Sequence, residues 1–192
     1  RMEFGPRALG GRSILGNAMS PDLQKQMNLK IKFRESFRPF APSVLEEDCE
    51  QYFELDVPSP YMLLVANVQA HRCIEQEHEP NIESDIHQNR SDIPAITHVD
   101  YSARVQTVSA RTNPKYHALI NAFKQRSDCS VIINTSFNIR GEPIVCSPED
   151  AMKCFSLTNM DALAIGNFLV LKEHNPSNKE EMDEYINSFE KD

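Results

Sequence analysis

Apolar residues along the chain recur at two spacings. Three segments carry helical periodicity behind one shared start signal: Ser20-Pro21-Asp22, Asn113-Pro114-Lys115 and Ser147-Pro148-Glu149. In each, a capping side chain precedes a proline at the first helical position, where the missing N–H costs nothing. The pattern predicts a helix over 21–31 with Leu23, Met27 and Ile31 on one face. It predicts a second over 114–126 burying Leu119, Ile120 and Phe123, and a third over 148–157 burying Ala151, Met152 and Phe155. Ser177 with Glu180 forms a capping-box pattern that starts a polar fourth helix near the end of the chain.

Short β-branched runs bounded by turn formers predict strands at 41–45, 61–68, 103–109, 130–134, 162–165 and 168–172. Gly166-Asn167 joins the last two as a hairpin. Helices and strands interleave without strict alternation. The expected fold class is therefore α/β in the broad sense (α+β), with a mixed sheet in place of a doubly wound parallel one. Residues 69–95 form one long stretch without periodicity, containing His71, Cys73, His78 and His87. Their spacings match no common metal pattern, and the stretch reads as a solvated, mobile insertion. Residues 1–175 are expected to form one domain, with 176–192 as a polar C-terminal helix or tail.

Composition narrows the class. The chain has 192 residues, 40% apolar and 25% charged, ordinary values for a globular protein. No apolar run approaches the roughly 20 residues of a membrane span, and no signal-peptide core is present. The chain begins at Arg1, not methionine, and reads as a piece of something longer. Five cysteines, an odd number without a CxxC pair, suggest a reducing compartment, the cytoplasm, and argue against a disulfide framework or thiolate metal site. The net charge of −8 argues against a nucleic-acid partner. Residues 1–40, however, hold eight Lys/Arg against three acids, a local excess that suits a small anion or a solvated basic face.

Three stretches carry candidate chemistry. In "RMEFGPRALGGRS", glycines permit tight turns while Arg7 and Arg12 supply planar forks suited to bidentate phosphate contact; the bland alternative is a Gly-rich loop with surface arginines. In "IKFRESFRPFAPS", Lys32, Arg34 and Arg38 alternate with Phe33, Phe37 and Phe40, and Phe37, Pro39 and Phe40 are expected to pin the backbone in a core while the charges converge outside it. In "VIINTSFNIRGEPIV", Asn134, Thr135, Ser136 and Asn138 follow a strand end, where α/β folds place ligands. Ser136 has no nucleophile-elbow context, and no P-loop pattern occurs. A self-capping polar turn or a non-P-loop phosphate or nucleotide site remains, with Gly141 and Pro143 fixing the exit turn.

Together, "RMEFGPRALGGRSIL", "IKFRESFRPFAPSVL", "HVDYSARVQTV" and "NTSFNIRGEPIVCSPEDA" resemble, in that order, the C-terminal domain of the carbamoyltransferase family of nodulation-factor and antibiotic O-carbamoyltransferases. The resemblance implies a YrdC-like twisted mixed sheet with flanking helices and a basic cavity. It implies that ATP, with Mg²⁺ arriving on its phosphates, and carbamoyl phosphate yield a carbamoyl-adenylate. A separate N-terminal domain of the kinase/actin type, holding its own metal, would pass the carbamoyl group to an acceptor hydroxyl. No metal ligand is assigned in this chain. On this reading Arg7 and Arg12 meet phosphate oxygens. Lys32, Arg34 and Arg38 clamp carbamoyl phosphate or the nucleotide's phosphates. Arg104 reaches the transferring group, and Asn134, Thr135, Ser136 and Asn138 hold the nucleotide. Lys32, Arg38 and Arg104 are the catalytic candidates. His98 and Asp100 orient Arg104 or the carbamoyl amide, unless His98 makes a plain core hydrogen bond. Arg38 and Ser136 are expected to face one cavity. The family has a small residue, often Gly, where this chain has Tyr101. Two rival readings are a threonylcarbamoyl-adenylate enzyme of tRNA modification and a non-catalytic nucleotide-binding module.

Overall fold

A computed structural model describes residues 7–75 and 88–189. The chain divides into two compact units, Arg1–Gln24 with Pro39–Ser136, and Lys25–Arg38 with Phe137–Asp192.

The first unit is built on a five-stranded sheet: β1 (Ser13–Asn17), β2 (Ala41–Leu45), β3 (Leu64–Asn67), β4 (Ser102–Val108) and β5 (Val131–Ser136), in the order β1-β5-β2-β4-β3. β2 and β4 run parallel, and the other neighbours are antiparallel, so the sheet is mixed as expected. β2 is central and yet contains Pro42; its pairing with β4 begins only at Ser43, so the missing N–H is not asked to join that ladder. β1 was not expected. Its five residues follow Gly10-Gly11 and contain Gly16, so they read as a loop, and pairing with β5 is what extends them.

Strand registers sort side chains between two faces. One face carries Ser13 and Leu15, Ser136, Asn134 and Ile132, Ala41, Ser43 and Leu45, and Arg104, Gln106 and Val108. Its apolar end is covered by a helix, α3 (Pro114–Ser127): Leu45, Val108, Tyr116, Ile120 and Ile132 form a buried cluster, with Leu15 and Phe123 packed against it. The helix buries Tyr116 and Ile120, whereas Leu119 is half exposed. An apolar groove of about 460 Å³ runs beside this end, lined by Leu15, Gly16, Leu119, Phe123 and Arg126 among others. On the opposite face Val44, Val105, Val131 and Ile133 are fully buried.

Among the described residues, two short α-helices precede α3. α1 (Leu23–Met27) starts after a turn at Pro21-Asp22, and α2 (Cys49–Tyr52) follows β2. The helical run reaches the expected end near Ile31: α1 continues without a break as a π-helix over Asn28–Lys32 and ends at Phe33. Asn28 is the physical reason it ends. Its buried side chain donates to the carbonyls of Ser36 (3.0 Å) and Arg38 (2.8 Å), drawing the following chain back, and Phe33 takes a left-handed φ of 49°. Of the expected aromatic anchors Phe40 is buried, but Phe37 is 51% exposed.

The ends of the 69–95 stretch are tied into the first unit. Cys73 bridges to Ser91, Arg72 meets Asp92 at 2.5 Å and lies over the Tyr52 ring, and Ile93, Ala95 and Ile96 are buried. His78, His87 and the rest of 76–87 lie outside the described residues.

The second unit holds α4 (Pro148–Ser156), the hairpin β6 (Ala162–Ile165) and β7 (Phe168–Leu171), and α5 (Lys179–Asn187). α4 opens with a capping box between Ser147 and Asp150 and buries Ala151, Cys154 and Phe155; Met152, expected inside, is exposed. In the hairpin, Ile165 pairs with Phe168 across Gly166-Asn167, and the positive φ (60°) at Gly166 is the type II′ pattern. α5 is capped by Asn178, not Ser177, whose hydroxyl instead bonds the Ser156 carbonyl.

Candidate functional site

In the first unit the polar end of the sheet face is the place to look. Three strands there contribute Asn134, Ser43 and Gln106, all buried. Ser43 donates to Gln106 Oε1 at 2.6 Å, and Asn134 Nδ2 donates to the same oxygen at 2.7 Å. Polar groups buried at this depth must be paired, and here they pair partly with the segment before β1. Asn134 Nδ2 reaches the Ala8 carbonyl at 3.0 Å, while Gln106 and Asn113 reach that of Leu9 at 3.2 and 3.3 Å. The polar row thus straps residues 8–9 across the sheet. It leaves Asn134 Oδ1 buried without a hydrogen-bond partner.

That strap carries Arg7 toward Arg104. The two guanidiniums are close enough that Arg7 lowers the pKa of Arg104, after burial, which lowers it most. Arg104 lies on the same sheet face as Gln106, two residues away on β4. Its Nε is buried with no hydrogen-bond partner. A buried donor in that state costs about 1–3 kcal/mol, and a second positive charge beside it adds to the cost. An anion would relieve both.

His98, Asp100 and Ser102 form the turn that launches β4. Asp100 accepts from the Ser102 hydroxyl (2.6 Å) and backbone N–H (3.1 Å), and these bonds hold its carboxyl below the usual range. His98 Nδ1 lies 3.5 Å from the same hydroxyl. Burial lowers its pKa, Asp100 opposes this, and Arg104 adds to it. Asp100 therefore serves the turn, and His98 stands within electrostatic reach of Arg104.

Strand alternation separates the polar run after Ile133. Asn134 and Ser136 face the Arg104 side, whereas Thr135 faces away. Asn134 Nδ2 is committed to internal bonds. Arg12 is half-buried just before β1.

The second unit holds Lys32, Arg34, Arg38 and Asn138. Asn28 organises the two arginines: its Oδ1 accepts from Arg34 Nε at 2.6 Å, while its amide holds the backbone at Ser36 and Arg38. Burial, then Arg38, lowers the pKa of Arg34 to about 10. Arg38 pairs with Glu35 at 2.8 Å on a half-exposed surface. Lys32 is almost fully buried, and its Nζ donates to both the backbone and side-chain oxygens of Asn138 at 2.7 Å. Burial, then the Arg34 charge, lowers its pKa to about 7. Asn138 is thus the partner of Lys32. Arg38 belongs to the second unit and Ser136 to the first. Among the described residues no group of three His, Cys, Asp or Glu side chains is placed to hold a metal ion. Among them, too, no helix is long and apolar enough to cross a membrane.

Residues 1–172 match the family described as Carbamoyltransferase C-terminus. The chain belongs to that family. It is 55% identical over 196 residues to an uncharacterized protein of Synechocystis sp., spanning all of this chain and 32% of that protein. Over 175 residues it is 46% identical to nodulation protein NolO of Bradyrhizobium diazoefficiens, spanning 90% of the chain and 29% of the relative. Over 167 residues it is 33% identical to 3′-hydroxymethylcephem-O-carbamoyltransferase of Streptomyces clavuligerus, spanning 87% and 28%. The chain thus covers no more than a third of the length of these relatives.

Within this carbamoyltransferase C-terminal domain, Tyr101 stands where the sequence resemblance implied a small residue. Its φ is 64°, in the left-handed region that glycine adopts most readily. The side chain finds a use beyond the turn, its hydroxyl donating to the Ile74 carbonyl at 3.3 Å. Sequence reasoning missed Ser43 and Gln106, which support the site from beneath, and Glu142 and Tyr185, which bond to each other in the second unit. The one signal for the first pair was alternation: Arg104 and Gln106 share a strand face. No local signal linked Glu142 to Tyr185, 43 residues on.

Proposed function

We propose that this domain binds MgATP and carbamoyl phosphate: water takes the phosphoryl group off as inorganic phosphate, and the carbamate oxygen so freed attacks the α-phosphorus of ATP, breaking its bond to pyrophosphate, which leaves, and giving a carbamoyl-adenylate. Elsewhere in a longer protein, a second domain would transfer the carbamoyl group to an acceptor hydroxyl. The observation that carries the reading is the Arg7–Arg104 pair, with Arg104 Nε buried and unpartnered at the polar end of the sheet. Two like charges held together, one with an idle donor, make a preorganised receptor for a planar or tetrahedral oxyanion. A mixed anhydride forms between two anions, so its assembly requires such fixed cations to offset charge and hold the partners in line. Arg7, Arg12 and Arg104 are assigned to phosphate and carbamoyl oxygens. Ser136, in the same unit, is assigned to the nucleotide; in the second unit, taken by itself, Lys32, Arg34 and Arg38 are assigned to phosphate oxygens. Membership of the carbamoyltransferase C-terminal family supports the group transferred. The name of the Streptomyces relative, an O-carbamoyltransferase, supports a hydroxyl acceptor.

The test is to titrate the chain with MgATP by calorimetry, then add carbamoyl phosphate and search for carbamoyl-AMP by mass spectrometry. Arg104→Lys, which keeps the charge and loses the fork, should lower adduct formation by at least tenfold. Product from threonine and bicarbonate would move the protein to the tRNA-modification class. MgATP binding without any adduct would make it a nucleotide-binding module, and absence of binding would refute the reading altogether.

A further inference from the structure

α5 begins beyond the part of the chain that matches the family, yet one of its side chains reaches the loop that holds Lys32. Tyr185 is buried, and its hydroxyl donates to Glu142 Oε1. The other carboxylate oxygen, Oε2, accepts the Ile139 N–H at 2.9 Å. Glu142 is thereby fixed at both oxygens, one bond from its own turn and one from the helix. The turn itself is tight, with Gly141 at a φ of 74° and the Glu142 N–H on the Ile139 carbonyl at 3.3 Å.

Asn138 stands at the start of this turn. Its Nδ2 donates to the Glu142 carbonyl at 2.6 Å, which settles the orientation of the amide and turns Oδ1 toward Lys32. Lys32 Nζ then meets Oδ1 and the Asn138 carbonyl, each at 2.7 Å. The Lys32 carbonyl in turn accepts the Arg140 N–H at 3.2 Å. From the α5 hydroxyl to the ammonium every link is a hydrogen bond, and every residue belongs to the second unit.

We propose that Tyr185 is a positioning residue for Lys32: its hydroxyl fixes Glu142, which locks the 138–142 turn and so aims the two Asn138 oxygens at the ammonium. The proposal rests on the reading of Lys32 as a phosphate-binding cation. A lysine tail has four rotatable bonds, and holding its head in one place requires acceptors that do not move. Tyr185 supplies that rigidity from a helix outside the turn. The groups facing Lys32 are Arg34 from its own loop, Glu142 from the turn and Cys154 from α4.

Tyr185→Phe removes the hydroxyl and keeps the ring, including its edge-on contact with Phe189. With ε-¹³C-lysine labelling, the Lys32 resonance is identified by its loss in Lys32→Met. In Tyr185→Phe a loosened turn admits water, and the midpoint of that resonance should move up from about 7 toward 10.5. MgATP affinity should fall about three- to tenfold, the range of one net hydrogen bond, and fall no further when Tyr185→Phe is added to Lys32→Met. Glu142→Asp, which keeps the charge that raises the Lys32 midpoint but is one methylene too short to meet both partners, should move the midpoint the same way, and it serves if Tyr185→Phe does not fold. An unchanged Lys32 midpoint in both variants, or an equal affinity loss with and without Lys32, would overturn the proposal. If Lys32→Met binds MgATP as wild type does, the phosphate-binding reading of Lys32 fails, while the resonance still decides the link to Tyr185.

Discussion

Gly10→Ala tests how closely the strap of residues 7–10 is built against the core. Gly10 has a φ of 108°, and a Cβ there would lie 2.4, 2.6 and 2.8 Å from three atoms of the Tyr116 ring. Backbone strain at such a φ costs about 1–3 kcal/mol. Overpacking against the ring adds about 1–3 kcal/mol. The ring has little freedom to yield, because Tyr116 is buried in a cluster with Leu45, Val108, Ile120 and Ile132. The sum is about 4 kcal/mol, which at a urea slope near 2 kcal/mol/M lowers the midpoint by about 2 M. Urea titration followed by circular dichroism measures it. Placed on Tyr116→Leu, the same substitution should cost only its backbone share, about 1–3 kcal/mol, since the ring atoms it meets are gone. MgATP affinity should fall as well, because Arg7 rides on the displaced segment. A midpoint within about 0.3 M of wild type would refute the close approach; an equal loss in the two backgrounds would refute its attribution to Tyr116.

Three further outcomes are expected. Because the folded pKa of Lys32, about 7, lies below the 10.5 of the unfolded chain, the unfolded state binds more protons between those values. Stability should therefore rise with pH across that window, with a slope for this group of up to about 1.4 kcal/mol per pH unit, and the burial cost is fully present below pH 7. Lys32→Met should flatten this dependence in urea titrations at pH 7.0 and 8.5; an identical pH dependence in the variant would contradict it. Tyr101→Gly should stay within about 1 kcal/mol of wild type, relief of the left-handed backbone offsetting greater unfolded-state freedom, whereas Tyr101→Val should lose about 2 kcal/mol in the same assay. Arg38→Ala should weaken MgATP or carbamoyl phosphate binding more than Ser136→Ala does, because charged hydrogen bonds are about twice as strong as neutral ones; calorimetry showing unchanged affinity in Arg38→Ala would remove that residue from the site.

What the sequence determined by itself was local. The Ser147-Pro148 start of α4, the Gly166-Asn167 hairpin and the strand "APSVL" were legible because capping, turn chemistry and β-branching act within a few residues. The ordered motifs also made the family legible. Only the tertiary structure decided the rest. β1 becomes a strand because β5 lies beside it, and the chain after the α1 helical run folds back because Asn28 finds carbonyls 8 and 10 residues on. Leu119 and Met152 are exposed because periodicity gives the width of an apolar face and not which edge of it the neighbours cover. The same holds for the site. Residue types announced cations and amides, but strand alternation set Thr135 apart from Asn134 and Ser136, and burial placed Lys32 on Asn138. Side-chain chemistry is written residue by residue, whereas desolvation and pairing depend on groups that may lie a hundred residues away. Lys32 and Asn138, 106 positions apart, are such a case: no local pattern encodes that bond, and the fold alone makes it.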